Sequence, residues 1–165
     1  MFRKLIATSN DYGMLVTRLV LAGVMLPHGA QKLFGWFGGH GFDATVGYFT
    51  TQLGIPAPVA VLVILAESLG AVALALGLAG RFMAFGIGAT MVGAVLMAHT
   101  SNGFFMNWSG QQAGEGFEYH LLAVGMALAV ILRGSGAWSI DRMLQRRIAR
   151  QPADEPALSA RPVVA

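Results

Sequence analysis

Four long apolar stretches dominate this sequence and limit what the chain can fold into. They cover about residues 12–34, 58–80, 82–98 and 117–132, and each is apolar around its whole circumference as a helix. The runs are much longer than buried strands. Only 12% of the 165 residues are charged, whereas a soluble domain has about 25%. The sequence therefore predicts an all-α polytopic membrane protein, a four-transmembrane-helix bundle with spans of about 20 residues.

The residue types and motifs that are missing exclude several kinds of chemistry within this chain. It contains no cysteine, so it carries no disulfide, no thiolate metal site, no covalently attached haem and no cysteine nucleophile. The absence of a metal-binding HExxH, a GxSxG elbow and a P-loop argues against a hydrolase. Five of the eleven basic residues lie between Arg133 and Arg150. Basic residues concentrated in one short segment of a membrane protein indicate its orientation in the membrane rather than a nucleic-acid-binding surface. We therefore expect no nucleic-acid binding.

Lysine and arginine are concentrated on one side of the predicted membrane. The connections 35–57 and 99–116 contain neither residue, and nine of the eleven lie in the N-terminal segment, at Arg81 or in the C-terminal segment. Because cytoplasmic loops are enriched in these residues, both termini are predicted to be cytoplasmic. Residues 1–11 then form a cytoplasmic N-terminus and residues 12–142 the transmembrane domain. Residues 143–165 form a cytoplasmic tail that is first basic and then disordered.

The first extracytoplasmic connection is predicted to contain a short interfacial helix. Phe42, Val46, Phe49 and Leu53 recur at helical spacing, and a Gly-Ile-Pro sequence at 54–56 would end the helix. A helix with one apolar face lies in the plane of the membrane interface. The alternative is an irregular loop anchored by its aromatic side chains, which also favour the lipid–water boundary.

Ionisable residues within the apolar stretches predict a polar pocket, because charged groups in hydrocarbon usually face a bundle interior or a cavity. At about 100° per residue, Arg18, His28 and Lys32 fall within an arc of about 80° on one face of the first span. Glu67 lies near the midplane of the second span. Two of these residues also have a structural alternative, in which Arg18 forms a structural ion pair or reaches the membrane surface and Lys32 anchors the span at the membrane boundary.

Three further candidates lie near the extracytoplasmic edge, namely Glu118 and His120 in the fourth span and His99 at the end of the third. Glu118 and His120 are about 200° apart on an ideal helix, so only one of them can point inward. His99 is expected at the interface rather than as a ligand. The predicted pocket therefore consists of Arg18, His28, Lys32, Glu67, Glu118 and His120.

The direction of the side chains suggests how these charges pair. Side chains on a helix lean toward its N-terminus, so His28 and Glu67 converge when their spans are antiparallel. We expect Glu67 to group with His28 and Lys32. Arg18 leans away, and is either a second partner of Glu67 or an anchor that reaches the inner surface. Pro27 cannot donate a hydrogen bond within the helix, and we expect the first span to kink there.

A series of short motifs runs from about Tyr12 to Arg142. They are Arg18, His28-Gly29-x-x-Lys32, Gly54-x-Pro56-x-Pro58, Glu67-x-x-Gly70, Gly77-Leu78-x-x-Arg81, Glu118 and Gly134-x-Gly136-x-Trp138-Ser139-Ile140-Asp141. In this order they resemble the DoxX family of small four-helix bacterial membrane proteins. The resemblance implies a multi-pass protein of the bacterial inner (cytoplasmic) membrane. It also implies an association with redox and thiol or sulfur metabolism, including quinone-linked thiosulfate oxidation, and with assemblies that contain oxidative-stress enzymes.

Two classes of function remain as alternatives. In the first, the chain is the membrane subunit of an oxidoreductase rather than an enzyme alone, and its pocket binds a quinone or a small sulfur compound. His28 and Lys32 would hydrogen-bond a quinone oxygen, Glu67 would carry its proton, and a soluble oxidoreductase partner would supply electrons. A variant has haem held by two of the residues His28, His99 and His120. In the second class, the protein is a membrane scaffold or a small-solute permease, whose pore would need a homo-oligomer.

Overall fold

The chain is helical throughout the part that the structure, a computed structural model, describes. This part is residues 2–150, and no strand occurs in it. The helices are α1 (Phe2–Leu5), α2 (Tyr12–Phe34), α3 (Phe42–Thr51), α4 (Ala57–Leu76), α5 (Gly80–Asn102), α6 (Glu118–Arg133) and α7 (Ile140–Arg150). The basic part of the predicted tail is thus helical up to residue 150. The predicted disordered part, residues 151–165, lies outside the described residues.

Three of these helices, α2, α4 and α5, are long and apolar enough to cross a membrane. The helix α2 has the predicted bounds and includes Pro27 without interruption. The helix α4 ends earlier than the predicted span, because Gly77 takes a left-handed conformation with a φ of 65° and closes the helix. The helix α5 continues past the predicted end at residue 98 through a π-helical turn and a 3₁₀ turn. The helix α6 has 16 residues.

The helices α2, α4, α5 and α6 alternate in direction and pack around one apolar core. Leu21, Met25, Leu74, Ile87 and Val130 are completely buried in its centre. Small residues lie between them and allow the helix axes to approach closely. These residues are Ala22, Ala71, Ala84, Ala123 and Ala127.

The outer surface of the bundle is also apolar, as lipid contact requires. Large hydrophobic side chains are exposed on all four packed helices, among them Leu19, Leu62, Phe85, Leu122 and Leu132. An exposed apolar surface of this extent is not tolerated in water. We call the end of the bundle that carries α1 and α7 the terminal end, and the opposite end, with α3 and the 103–117 connection, the loop end.

A buried arginine joins three segments at the terminal end. Arg18, from the second turn of α2, is 1% exposed, and its two terminal nitrogens donate four hydrogen bonds to main-chain carbonyls. Two acceptors, Leu74 and Ala75, belong to the last turn of α4, and the carbonyl of Leu74 also accepts from the main-chain nitrogen of Gly77 at 2.9 Å. The other two, Ala137 and Trp138, precede α7. Arg18 therefore neither pairs with Glu67 nor extends to the surface, because the folded backbone offers acceptors to both of its terminal nitrogens.

A buried carboxylate at the same end caps the start of α5. Asp141 accepts hydrogen bonds from the main-chain nitrogens of Ala79 and Gly80, at 2.8 and 2.9 Å, and from the hydroxyl of Ser135 at 2.6 Å. A helix N-terminus favours a negative charge because its first N–H groups are unpaired. The Trp-Ser-Ile-Asp motif thus ties the segment after α6 to the start of α5.

Arg81 performs the matching role at the C-terminal end of α6. Its guanidinium donates to the carbonyls of Ile131 and Leu132, the last of these at 3.0 Å, and to that of Ala7 at 3.1 Å. Most of the sequence motifs at the terminal end therefore serve to hold helix ends together. The predicted pocket residues other than Arg18 lie at the loop end.

Candidate functional site

An ion pair joins α2 to α4 toward the loop end. The ammonium group of Lys32 donates to a carboxylate oxygen of Glu67. The Lys32 side chain is 23% exposed and that of Glu67 only 4%. A charged group that lies this deep among apolar side chains needs a partner of opposite charge. Of the cations predicted to neutralise Glu67, the folded chain brings Lys32 into direct contact.

Two of the candidate residues lie in π-helical turns. Glu67 belongs to the turn Ala66–Gly70 within α4, and His99 ends the turn Val95–His99 within α5. Such turns are rare in α-helices and are frequent at functional sites, because one extra residue per turn redirects the side chains. In α4 the hydroxyl of Ser68 donates to the carbonyl of Ile64 at 2.6 Å, which supports the widened turn.

A glycine on α2 allows the close approach that brings the ion pair together. Gly29 is buried against α4, and a Cβ atom on it would lie 2.3 Å from the carbonyl oxygen of Glu67 and 2.6 Å from Cα of Ser68. Both of these atoms belong to the main chain and cannot rotate away. Only glycine is compatible with this helix crossing, which explains its place three residues before Lys32.

Replacing Gly29 with alanine is therefore expected to separate α2 from α4 and to lower the free energy of unfolding by about 1–3 kcal/mol, the usual cost of overpacking. Gly23 provides a matched control on the same helix, because a Cβ atom added to it would have no atom within 4 Å. Gly23→Ala should be neutral or stabilising by up to about 1 kcal/mol. The measurement is the melting temperature of each variant in detergent. Equal melting of the two variants would show that the close crossing is not required.

Aromatic and imidazole rings continue the polar cluster from α2 across α6 to α5. The ring centroids of His28 and Tyr119 are 6.0 Å apart, those of Tyr119 and His120 5.5 Å, and those of His99 and His120 4.2 Å. Nδ1 of His99 lies 2.8 Å from the carbonyl oxygen of Glu115. Because a carbonyl only accepts, Nδ1 carries the proton, and Nε2 of a neutral His99 is left as an acceptor.

Two buried polar atoms of this cluster lack hydrogen-bond partners among residues 2–150. They are the hydroxyl of Tyr119 and Nδ1 of His120. Buried polar groups are nearly always paired, so an unpaired one calls for an explanation such as a binding role. The Tyr119 ring contacts that of His28, and the His120 ring contacts that of Tyr119. His28 itself is exposed on the surface of α2. The cluster therefore combines a partly buried ion pair, two unsatisfied polar atoms and an exposed histidine side chain.

The structure brings together some of the predicted pocket residues and separates others. His28, Lys32, Glu67 and His120 lie at the loop end, in the cluster just described. Arg18 lies at the terminal end, on main-chain carbonyls. Glu118 begins α6, and its carboxylate accepts a hydrogen bond from the indole of Trp108 at 3.2 Å.

Tyr119 is a cluster residue that the sequence analysis missed. It precedes the buried residues Ala123 and Ala127 by four and eight positions, and this spacing places it near the buried face of α6. The helical spacing was therefore a usable signal. Tyrosine is common at membrane boundaries, so its presence at the start of a span does not by itself indicate a binding site.

The imidazole rings do not suit a haem held between His99 and His120. Their centroids are 4.2 Å apart with the planes inclined by 43°, so the rings touch and leave no room for a porphyrin. Within the described part of the chain, no group of three or more His, Cys, Asp or Glu side chains could hold a metal ion.

These features define a helical membrane protein that spans the bilayer several times and carries a polar cluster at the loop end. The family model for DoxX matches residues 13–100, which is more than half of the chain, and the protein belongs to the DoxX family. The matched range includes His28, Lys32, Glu67 and His99, and it ends before Tyr119 and His120. Searches of curated proteins and of solved structures found no significant match.

Proposed function

We propose that the chain forms a four-span bundle in the bacterial inner membrane, with both termini in the cytoplasm. The fourth span would be α6, whose outward face exposes Leu122, Leu128 and Leu132. The orientation is supported by the basic residues of the terminal end and by the absence of lysine and arginine from the connections 35–57 and 99–116. The helix α3, which packs against α2 and α4 and exposes Phe42 and Tyr48, would lie in the outer interface.

We further propose that the loop-end cluster binds a quinone and that the protein is the membrane subunit of a redox system. The observation that carries this proposal is the pair of unsatisfied buried atoms, Tyr119 Oη and His120 Nδ1, next to the Lys32–Glu67 ion pair. A quinone has carbonyl oxygens that accept hydrogen bonds from Tyr119, and its reduced form has hydroxyl groups that can donate to His120. The exposed position of His28 provides lateral access for a ligand dissolved in the bilayer.

The chemistry expected of these residues is proton transfer, since the chain has no cysteine and therefore no thiol to oxidise. Reduction of a quinone to a quinol takes up two electrons and two protons. A soluble oxidoreductase partner would deliver the electrons, taken from a small sulfur compound or another donor. Glu67 would pass the protons, and Lys32 would stabilise negative charge that develops on the quinone oxygen.

Tyr119→Phe tests this proposal most sharply, because the hydroxyl that it removes has no partner within the described residues. Loss of an unpaired buried hydroxyl does not destabilise a protein. We therefore expect an unchanged melting temperature and an affinity for decylubiquinone that is about tenfold lower, the value of one hydrogen bond. The measurement is a titration with decylubiquinone in lipid nanodiscs.

Glu67→Gln should weaken binding as well, and Asp43→Asn is its matched control. Asp43 is an exposed carboxylate on α3, at the same end of the bundle. If decylubiquinone binds the wild-type chain and all three variants equally, the quinone proposal is wrong. If it binds none of them, including the wild type, the cluster does not recognise a quinone.

A scaffold or permease function is the alternative to this proposal. The centre of the bundle is filled by apolar side chains, Leu21, Met25, Leu74 and Ile87 among them. A solute path would therefore need a homo-oligomer. Solute flux into liposomes that contain this chain alone would support a permease, and co-purification of a soluble oxidoreductase would support the redox subunit.

A further inference from the structure

A basic groove lies at the terminal end of the bundle, away from the loop-end cluster. It has a volume of about 630 Å³ and lies between α7 and the segments that precede α2 and α7. Arg142, Arg146 and Arg147 line it, together with Trp138, Met143 and Asn10. Among residues 2–150, its lining thus contributes three positive charges and no carboxylate.

The helix α7 presents these charges outward because it is strongly amphipathic. Asp141 is buried, and Leu144 and Ile148 on the same face are half-buried. The opposite face carries the arginines. Arg146 and Arg147 are exposed, and neither forms an ion pair with a residue in the range 2–150. Basic amphipathic helices of this kind bind membrane surfaces through anionic lipids.

Trp138 is held in the groove by a backbone conformation that a tryptophan rarely adopts. Its φ is 49°, in the left-handed region, and its side chain is 78% exposed. Such a conformation is strained for a residue with a side chain, and Arg18 supports it by donating to the carbonyl of Trp138 at 2.9 Å. Glycine would fit this turn without strain. The indole also contacts Tyr12, with ring centroids 6.0 Å apart, and both rings belong at a lipid–water boundary.

We propose that this groove binds the headgroup of an anionic phospholipid in the leaflet at the terminal end. Arg142, Arg146 and Arg147 donate to the phosphate oxygens, since a guanidinium fork matches phosphate geometry. Trp138 and Met143 pack against the glycerol and the first carbons of the acyl chains. The charge of the groove selects an anionic lipid over a zwitterionic one. This binding does not depend on the quinone proposal.

The test uses Trp138 as its own reporter. The variant Trp36→Phe/Trp108→Phe leaves Trp138 as the single tryptophan, because the chain has three. In nanodiscs of phosphatidylcholine, brominated phosphatidylglycerol added as a minor component should quench Trp138 much more than the same amount of brominated phosphatidylcholine. Equal quenching by the two lipids would overturn the proposal.

Two double variants, each of which removes two positive charges, test whether the preference for phosphatidylglycerol comes from the groove. Arg146→Gln/Arg147→Gln should weaken the preference for phosphatidylglycerol by roughly tenfold or more, because each arginine near a membrane surface contributes about a fivefold factor. Arg3→Gln/Lys4→Gln removes two exposed basic residues from the same end and should leave the preference unchanged. An equal loss in both double variants would indicate diffuse surface charge and would contradict a groove. Displacement of the lipid by inorganic phosphate or glycerol phosphate would assign the groove to a soluble anion and likewise overturn the proposal.

Discussion

Replacing Arg18 with methionine is expected to lower the free energy of unfolding by about 3 kcal/mol or more. Four of the five N–H groups of this buried guanidinium donate to carbonyls, and hydrogen bonds to a charged group contribute about 1.5–3 kcal/mol each. Methionine removes all four hydrogen bonds and breaks the link between the last turn of α4 and residues 137–138. The measurement is thermal or denaturant unfolding in a mild detergent.

Arg18→Lys separates charge from geometry in the same experiment. Lysine keeps the positive charge but has a single compact ammonium group, which cannot reach acceptors on two separate segments. We expect it to show most of the loss found with methionine. Arg3→Gln serves as a control, because Arg3 is exposed and surface substitutions change stability by about 0.5 kcal/mol or less. Wild-type melting of Arg18→Lys would show that charge alone is sufficient.

The second large effect is expected from breaking the Lys32–Glu67 ion pair. Lys32→Met leaves a carboxylate that is 4% exposed without its partner, and removal of one member of a buried pair costs about 3–5 kcal/mol. The double variant Lys32→Met/Glu67→Met should recover most of this loss, because replacement of both members by apolar side chains is often neutral. A double-mutant cycle on the melting transition measures the coupling.

The double variant also separates the structural role of the ion pair from its proposed functional role. It should fold about as stably as the wild type and yet bind decylubiquinone much more weakly. Retained binding in a stable double variant would show that the pair only holds α2 and α4 together. Additive losses in the cycle would show that the two side chains are not coupled.

Some residues of the site could be predicted from the sequence and others could not. The grouping of Glu67 with His28 and Lys32 followed from depth along two antiparallel helices and from the lean of the His28 and Glu67 side chains. Which of the two cations contacts the carboxylate was left open. Those arguments are local, and they use only the rise and pitch of a helix. Tyr119 and the contact between His99 and His120 were not predicted, because they depend on how α6 is rotated against its neighbours. The π-helical turns at Glu67 and His99 could not be predicted either, because they do not change the pattern of apolar residues in the sequence.

Arg18 shows why a shared helix face is not enough to identify a shared site. It lies on the same face as His28 and Lys32, and this supported its assignment to one pocket. Its acceptors are created by the last turn of α4 and by the loop before α7, more than 50 residues away in the sequence. Main-chain carbonyls have no residue-specific signature, so a sequence cannot reveal that they will converge on an arginine.

The sequence by itself determined the helical membrane class, the approximate extent of the long apolar helices and the few positions at which charge enters the apolar stretches. These properties depend on composition and on periodicity along a single helix, and neither of these requires contacts between helices. The tertiary structure decided which charges meet, because contacts between helices depend on crossing angles and rotations that small residues such as Gly29 permit. It thereby placed Arg18 on the main-chain carbonyls at the terminal end, and Lys32 and Glu67 in the polar cluster at the loop end.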